Sequence, residues 1–165
     1  MLTLEKPYIK YKQLTAADVK GAIEVINASS LDLTKEVIGS VPTQKQLEEW
    51  AQKDSDMFLV GAFDDINQNK LVGVGILYEK EMPVVHLMGA FVLPEYRGMG
   101  IQKELIQQRK QRAFKVGAHI LVTGVHPDRK ASIKNLEETG FTTNGALVKS
   151  REGNIRLQYL LNLQK

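Results

Sequence analysis

The stretch of this chain whose residue types and spacing could do chemistry is Ala90-Phe91-Val92-Leu93-Pro94-Glu95-Tyr96-Arg97-Gly98-Met99-Gly100-Ile101-Gln102-Lys103. An apolar run closes at Pro94, Gly98 and Gly100 remove side chains from a tight turn, and a helical pattern opens directly after them. The first N–H groups of a helix have no intrahelical partner and sit at the positive end of its dipole. With Arg97 and Lys103 alongside, such a turn binds a phosphate or pyrophosphate. Other phosphate motifs fail. No G-x-x-x-x-G-K-[ST] occurs, and Gly73-Val74-Gly75 runs into strand residues where a dinucleotide fingerprint needs a third glycine opening a helix. The absence of cysteine removes disulfides, thiolate metal sites and a cysteine acyl-enzyme, and His86, His119 and His126 lack metal-ligand spacing, so no metal is expected.

Two segments resemble signatures of the GNAT superfamily of acyl-CoA-dependent N-acyltransferases. In that family a strand ending in Val-x-Pro-Glu-Tyr precedes Arg/Gln-x-x-Gly-x-Gly/Ala; here the second part reads Arg97-Gly98-Met99-Gly100-Ile101-Gln102. A second signature, Pro-Asp-Asn-x-x-Ser-Ile followed by Glu-x-x-Gly-Phe, appears as Pro127-Asp128-Arg129-Lys130-Ala131-Ser132-Ile133 and Glu137-Glu138-Thr139-Gly140-Phe141. The resemblance implies an α/β fold, one GNAT-like domain over residues 1–165, with a mixed, mostly antiparallel central sheet flanked by helices and a splayed central strand pair. It implies acetyl-CoA as acyl donor and co-substrate, held by Phe91, Val92, Arg97, Gly98, Met99, Gly100, Ile101, Gln102 and Lys103. It also implies direct attack by an amine within a ternary complex, with a backbone N–H of Phe91 or Val92 polarising the thioester carbonyl.

The same resemblance places a base about six residues before Val92, where His86 stands. A histidine with an ordinary pKa near 6.5 is partly neutral at pH 7 and accepts a proton directly or through water. Glu79 and Glu81 are fallback bases. The chain departs from the family at three positions: Gln102 replaces Gly or Ala, Arg129 replaces Asn, and Leu136 stands where many members carry the Tyr that protonates the departing thiolate. Tyr159 and Tyr78 are the substitutes for that acid, against a plain core role for each. Trp50 either lines an acceptor pocket or packs in the core.

Periodicity supplies the elements that must position these groups. Tyr8–Leu14 alternates as a strand, and Thr15-Ala16-Ala17-Asp18 is a capping box ahead of Val19, Ala22, Ile23 and Ile26 at helical spacing. A second box, Thr43-Gln44-Lys45-Gln46, opens a helix ending near Lys53. Met57–Phe63 and Lys70–Tyr78 form a hairpin, Val84–Leu93 a further strand, and about Gly100 to Val116 a helix. Ala118–Val125, Arg129–Thr139 and a last hairpin of Leu147–Ser150 with Ile155–Leu163 complete the order. On the Gly100–Val116 helix, Arg109 falls on the face shared by Ile101, Leu105, Ile106, Ala113 and Val116. It must snorkel or find a partner.

Charge divides the chain. Net charge is +3, yet residues 31–68 carry eight acidic against three basic side chains, while residues 97–165 carry thirteen basic against five acidic. The basic half suits an anionic partner, and the acidic stretch, with Asp32, Glu36, Glu48 and Glu49, suggests a cationic amine acceptor. The competing account is that these charges solvate helix faces. With 7% aromatic residues and no reading motif, a nucleic-acid partner is not expected. No apolar run reaches membrane-spanning length and the N-terminus lacks a signal layout, so the expectations are no membrane partner and a cytoplasmic location. The oligomeric state is open, with a homodimer admitted. The leading function is an N-acetyltransferase acting on a primary amine; the alternative is a GNAT-like module that binds acyl-CoA with little turnover.

Overall fold

Local hydrogen bonds begin the helices where the sequence places them. The Thr43 hydroxyl accepts from the Gln46 N–H at 3.2 Å while the Gln46 side chain accepts from the Thr43 N–H at 2.9 Å, closing a reciprocal box. Asp18 accepts from the Thr15 N–H at 2.9 Å and closes a short 3-10 turn before the first helix. The structure, a computed structural model, describes residues 5–31, 41–150 and 153–164. Its helices are α1 (Val19–Ser30), α2 (Gln44–Trp50), α3 (Ile101–Lys115) and α4 (Lys130–Glu138). Its strands are β1 (Ile9–Gln13), β2 (Met57–Asp64), β3 (Lys70–Tyr78), β4 (Val84–Val92), β5 (Ile120–Val125), β6 (Leu147–Lys149) and β7 (Ile155–Asn162). Asp32, Glu36 and Glu152 lie outside the described residues.

The seven strands make one sheet in the order β1-β2-β3-β4-β5-β7-β6. Every neighbouring pair is antiparallel except β4 and β5, which run parallel. That parallel ladder is short: Val84, Val85 and His86 pair with Ile120, Leu121 and Val122, and the strands then part. Beyond this point β4 follows β3 to Val92 while β5 follows β7 to Val125, which opens a V-shaped gap in mid-sheet. At its crotch the Thr123 hydroxyl donates to the Leu87 carbonyl at 2.8 Å. The expected splayed pair is therefore present.

Buried side chains form two clusters. One joins α1, α2 and the β2–β3 hairpin to the start of α3 through residues such as Ile26, Leu47, Val72, Val74 and Leu105; the other joins β4, β5 and β7 to the rest of α3 and to α4 through Val85, Ile106, Leu121, Leu136 and Tyr159. Each such aliphatic side chain contributes about 1.5–3 kcal/mol on burial. Helix α3 bridges the clusters by lying close against β3. A Cβ at Gly73 would meet Ile101 at 3.1 Å, and one at Gly75 would meet Arg109 Nε at 2.9 Å. Glycine is needed at Gly75 for that approach. Among the described residues no helix is long and apolar enough to cross a membrane.

Candidate active site

The turn after β4 has the geometry its glycines predict. Gly98 and Gly100 have φ of 78° and 79°, and Gly100 is the N-cap of α3 in the left-handed region. A Cβ at either position would meet nothing within 4 Å, so the space in front of the turn is open. From behind, the turn is anchored to the β2–β3 hairpin. The Tyr96 hydroxyl donates to Asp64 Oδ2 at 2.7 Å, Asn67 Nδ2 donates to that hydroxyl at 3.3 Å, and the other Asp64 oxygen accepts from the Ile66 N–H. Ile101 is buried in the first cluster and Met99 is exposed, so Ile101 offers this site its backbone.

The two cations beside the turn are engaged within the fold. Arg97 Nη2 donates to the Ser29 carbonyl at the end of α1, at 2.8 Å. Lys103 pairs with Glu138 of α4 at 3.0 Å and holds that carboxyl below its ordinary range. Gln102, the departure from Gly or Ala, uses its whole side chain as a bridge between helices. Its Nε2 donates to Ser132 Oγ at 3.1 Å and its Oε1 accepts from Asn135 Nδ2 at 2.9 Å.

From Gln102 a cleft of about 680 Å³ runs through the β4–β5 gap. Its lining includes Gln102, Arg129, Ser132 and Leu136, Trp50 and Gln46 of α2, and Arg156 and Gln158 of β7. Trp50 thus packs on the first cluster and lines the cleft as well. His86 stands on the lining, its Nε2 3.0 Å from Glu81 Oε2 and its ring 5.9 Å from the Tyr78 ring. When Nε2–H is shared with Glu81, the Nδ1 lone pair is the one able to take a proton.

The phase of β4 decides which backbone donors reach the gap. The Leu93 N–H is bonded to the Val72 carbonyl at 2.9 Å, and Val92, Phe91 and Ala90 pair with Gly73, Val74 and Gly75. In an antiparallel ladder these bonds alternate, so the N–H groups of Val92 and Ala90 face the gap and that of Phe91 faces β3. Phe91 therefore lines the cleft by its side chain, and its N–H is not the donor expected at the thioester. The Ala90 N–H, which the sequence did not single out, faces the gap instead.

Arg109 neither snorkels nor pairs with a carboxylate. It is 1% exposed on the floor of the cleft. Nη1 donates to the carbonyls of Ile76 (3.0 Å), Met88 (3.2 Å) and Gly89 (3.4 Å), and Nε donates to Leu105 (3.0 Å). Burial pulls its pKa down to about 9, so it remains a cation at neutral pH.

Of the residues expected at the site, His86, Phe91 and Gln102 line the cleft, whereas Val92, Arg97, Gly98, Met99, Gly100, Ile101 and Lys103 form the strand end, turn and first helical residues beside it. Tyr159, offered as a substitute for the missing acid, is not part of the cleft lining. It is buried, its hydroxyl donates to Glu137 at 2.8 Å, and burial and that bond raise its pKa. Glu79 is held by Arg112 in a two-pronged ion pair at 2.7 and 3.1 Å. Among the described residues no carboxylate lines the cleft, and Glu48 and Glu49 are exposed and not part of its lining. The expected acidic acceptor mouth is thus not found in the described part of the wall.

Comparison with known proteins agrees with this architecture. The model of the acetyltransferase (GNAT) family matches residues 26–141. Among solved structures, the ribosomal-protein-S18-alanine N-acetyltransferase of Escherichia coli superposes with a TM-score of 0.76 at 14% identity, covering 96% of each chain. The PaiA N-acetyltransferase of Thermoplasma acidophilum, solved with coenzyme A, gives 0.73 at 18% identity over 94% of this chain and 99% of that one. A phosphinothricin acetyltransferase of Sinorhizobium meliloti, solved with acetyl-CoA, gives 0.76 at 18% identity over 94% and 88%. No curated protein sequence matches the chain.

Proposed function

Because the chain belongs to the acetyltransferase (GNAT) family, we propose that it is an N-acetyltransferase that moves the acetyl group of acetyl-CoA to a primary amine of a small molecule or protein. The observation that carries this reading is the continuity of one cleft, from the α3 N-terminus through the β4–β5 gap to His86. The N–H groups at the start of α3 receive the pyrophosphate, and the pantetheine arm enters the gap beside the Ala90 and Val92 N–H groups. The acceptor nitrogen attacks the thioester carbon, a C–N bond forms, and the carbonyl electrons move to an oxygen held by the Ala90 N–H. Collapse breaks the C–S bond and releases CoA. The proton lost by nitrogen passes to His86 Nδ1, with Glu81 orienting the ring. Leu136 and the engaged Tyr159 leave the departing sulfur to be protonated from solvent.

Arg109, Arg129 and Arg156 line the cleft with no described carboxylate. Arg109 is bonded to backbone carbonyls and to no carboxylate, so like charge disfavours an ammonium beside it, which supports an acceptor whose amine enters unprotonated. The test is thiol release from acetyl-CoA with a panel of cationic, neutral and anionic amines at low and moderate ionic strength. Neutral or anionic amines should outrun polyamines, and a polyamine optimum sharpened by low salt would refute the charge argument. The missing acid favours a second reading, an acyl-CoA-binding module. Saturable binding of acetyl-CoA with no amine-dependent thiol release would establish it instead.

A further inference from the structure

The β3–β4 ladder contains one irregularity. Leu77 pairs with Leu87 and Gly75 pairs with Ala90, so Met88 and Gly89 of β4 together oppose the single residue Ile76. Such a bulge shifts by one residue which N–H groups point across to the neighbouring strand. Here the shifted phase turns Ala90 and Val92 into the gap. A bulge also leaves carbonyls without ladder partners, and buried carbonyls require donors. The carbonyls at this bulge, those of Ile76, Met88 and Gly89, are the ones Arg109 Nη1 holds, while Nε ties the same side chain back to Leu105 of its own helix.

We propose that Arg109 is a positioning residue for acyl transfer: its guanidinium clamps the β4 bulge from α3 and so fixes the phase that presents the Ala90 and Val92 N–H groups to the thioester. The proposal rests on the acetyl-donor reading for its catalytic consequence, but its geometric part stands without a ligand. A single planar cation reaches carbonyls on β3, β4 and α3 together, which a flexible lysine does less well and an apolar side chain not at all. The clamp is intolerant of crowding as well, since a Cβ on Gly75 would press on Arg109 Nε at 2.9 Å and Cδ at 3.3 Å. A cation at the cleft floor also favours charge developing on the thioester oxygen.

Amide hydrogen exchange on the free protein tests the geometry. In the parent, the Phe91 amide should be protected by β3 while Ala90 and Val92 exchange faster; in Arg109→Met this contrast should collapse. Isotope-labelled protein titrated with CoA and with acetyl-CoA tests the consequence, together with thiol release to hydroxylamine, a small amine that is neutral at pH 7. The Ala90 amide should shift with acetyl-CoA relative to CoA in the parent. Arg109→Met should lose that shift and about 100-fold in kcat, the scale of removing one oxyanion donor, while its Kd for CoA stays within about threefold of the parent. Arg109→Lys should recover part of both losses, and Gly75→Ala, which keeps the arginine but crowds it, should reproduce them in weaker form if Arg109→Met does not fold. Parent-like exchange and kcat in a folded Arg109→Met would overturn the proposal, as would equal weakening of CoA and acetyl-CoA binding with kcat retained. A parent that binds neither nucleotide would overturn the acetyltransferase reading, and the exchange experiment would still decide the clamp.

Discussion

At the α3 end of the cleft the donors are N–H groups that every helix start leaves unpaired, and Gly98 and Gly100 need only a positive φ to expose them. At the β4 end the donors exist because a bulge changes the ladder's phase and a residue nineteen positions after Ala90 in sequence, Arg109, holds the bulge. The first is a property of a short segment. The second is a property of two strands and a helix brought together. The difference predicts that substitutions at the α3 end change donor affinity, whereas those at the β4 end change rate.

The largest expected effect is at the α3 end. Gly100→Asp places a carboxylate and a strained left-handed backbone at the turn proposed to hold the pyrophosphate, and like-charge juxtaposition of about 3 kcal/mol should weaken acetyl-CoA binding roughly 100-fold by calorimetry. Unchanged affinity in a folded variant would mean that this turn is only structural and would remove one side of the comparison. His86→Ala tests the other side. It should lower kcat about 100-fold, most visibly near neutral pH, and leave the KM for acetyl-CoA close to the parent's. A parent-like kcat and pH profile would move the base elsewhere.

A smaller effect is expected where helix start and helix bridge meet. Gln102→Ala removes the bonds to Ser132 and Asn135, which should lower stability in urea by about 1 kcal/mol. The backbone N–H proposed to serve the phosphate is kept, so acetyl-CoA affinity should change less than about threefold. A larger loss would show that the side chain itself touches the donor. The smallest effect concerns Tyr11, which burial, and secondarily Glu104 on the first turn of α3, raise from an ordinary pKa of 10.0 to about 12. Because the folded value is the higher one, its contribution is complete below pH 10 and is lost as the pH climbs through the folded value. The stability difference between the parent and Tyr11→Phe, followed by urea midpoints from pH 8 to 12, should decline over that window. A flat difference would show that Tyr11 is not shielded beside α3.

Most of the elements were legible because they are encoded locally. The box at Thr43 and Gln46 starts α2, the apolar spacing from Ile101 to Ala113 selects the buried face of α3, and the turn composition of residues 64–69 joins β2 to β3. β3 matches its expected run and β2 extends one residue past it, while the other strands are one or two residues shorter than theirs, as at β5, where Ala118 is bonded back to Ala113 at the end of α3 before pairing begins at Ile120. Arg109 was visible as a charge on an apolar face, but its partners were not, because they are backbone carbonyls on other elements and carry no residue-type signature. The choice between Phe91 and Ala90 was hidden for the same reason. A one-residue bulge reverses the alternation, and nothing in the residues Met88-Gly89 states where a partner strand will be out of register.

By itself, then, the sequence determined the order of strands and helices, the caps that start them, and a glycine turn whose proposed phosphate binding would rest on φ angles and unpaired N–H groups within a dozen residues. The tertiary structure alone decided that Lys103 and Arg97 answer to Glu138 and Ser29, that Tyr159 is tied to Glu137, that Glu81 meets His86, and that no described carboxylate lines the cleft. Each of these depends on where a side chain ends after distant elements pack, and packing is set by the summed burial of two apolar clusters, which no local spacing records.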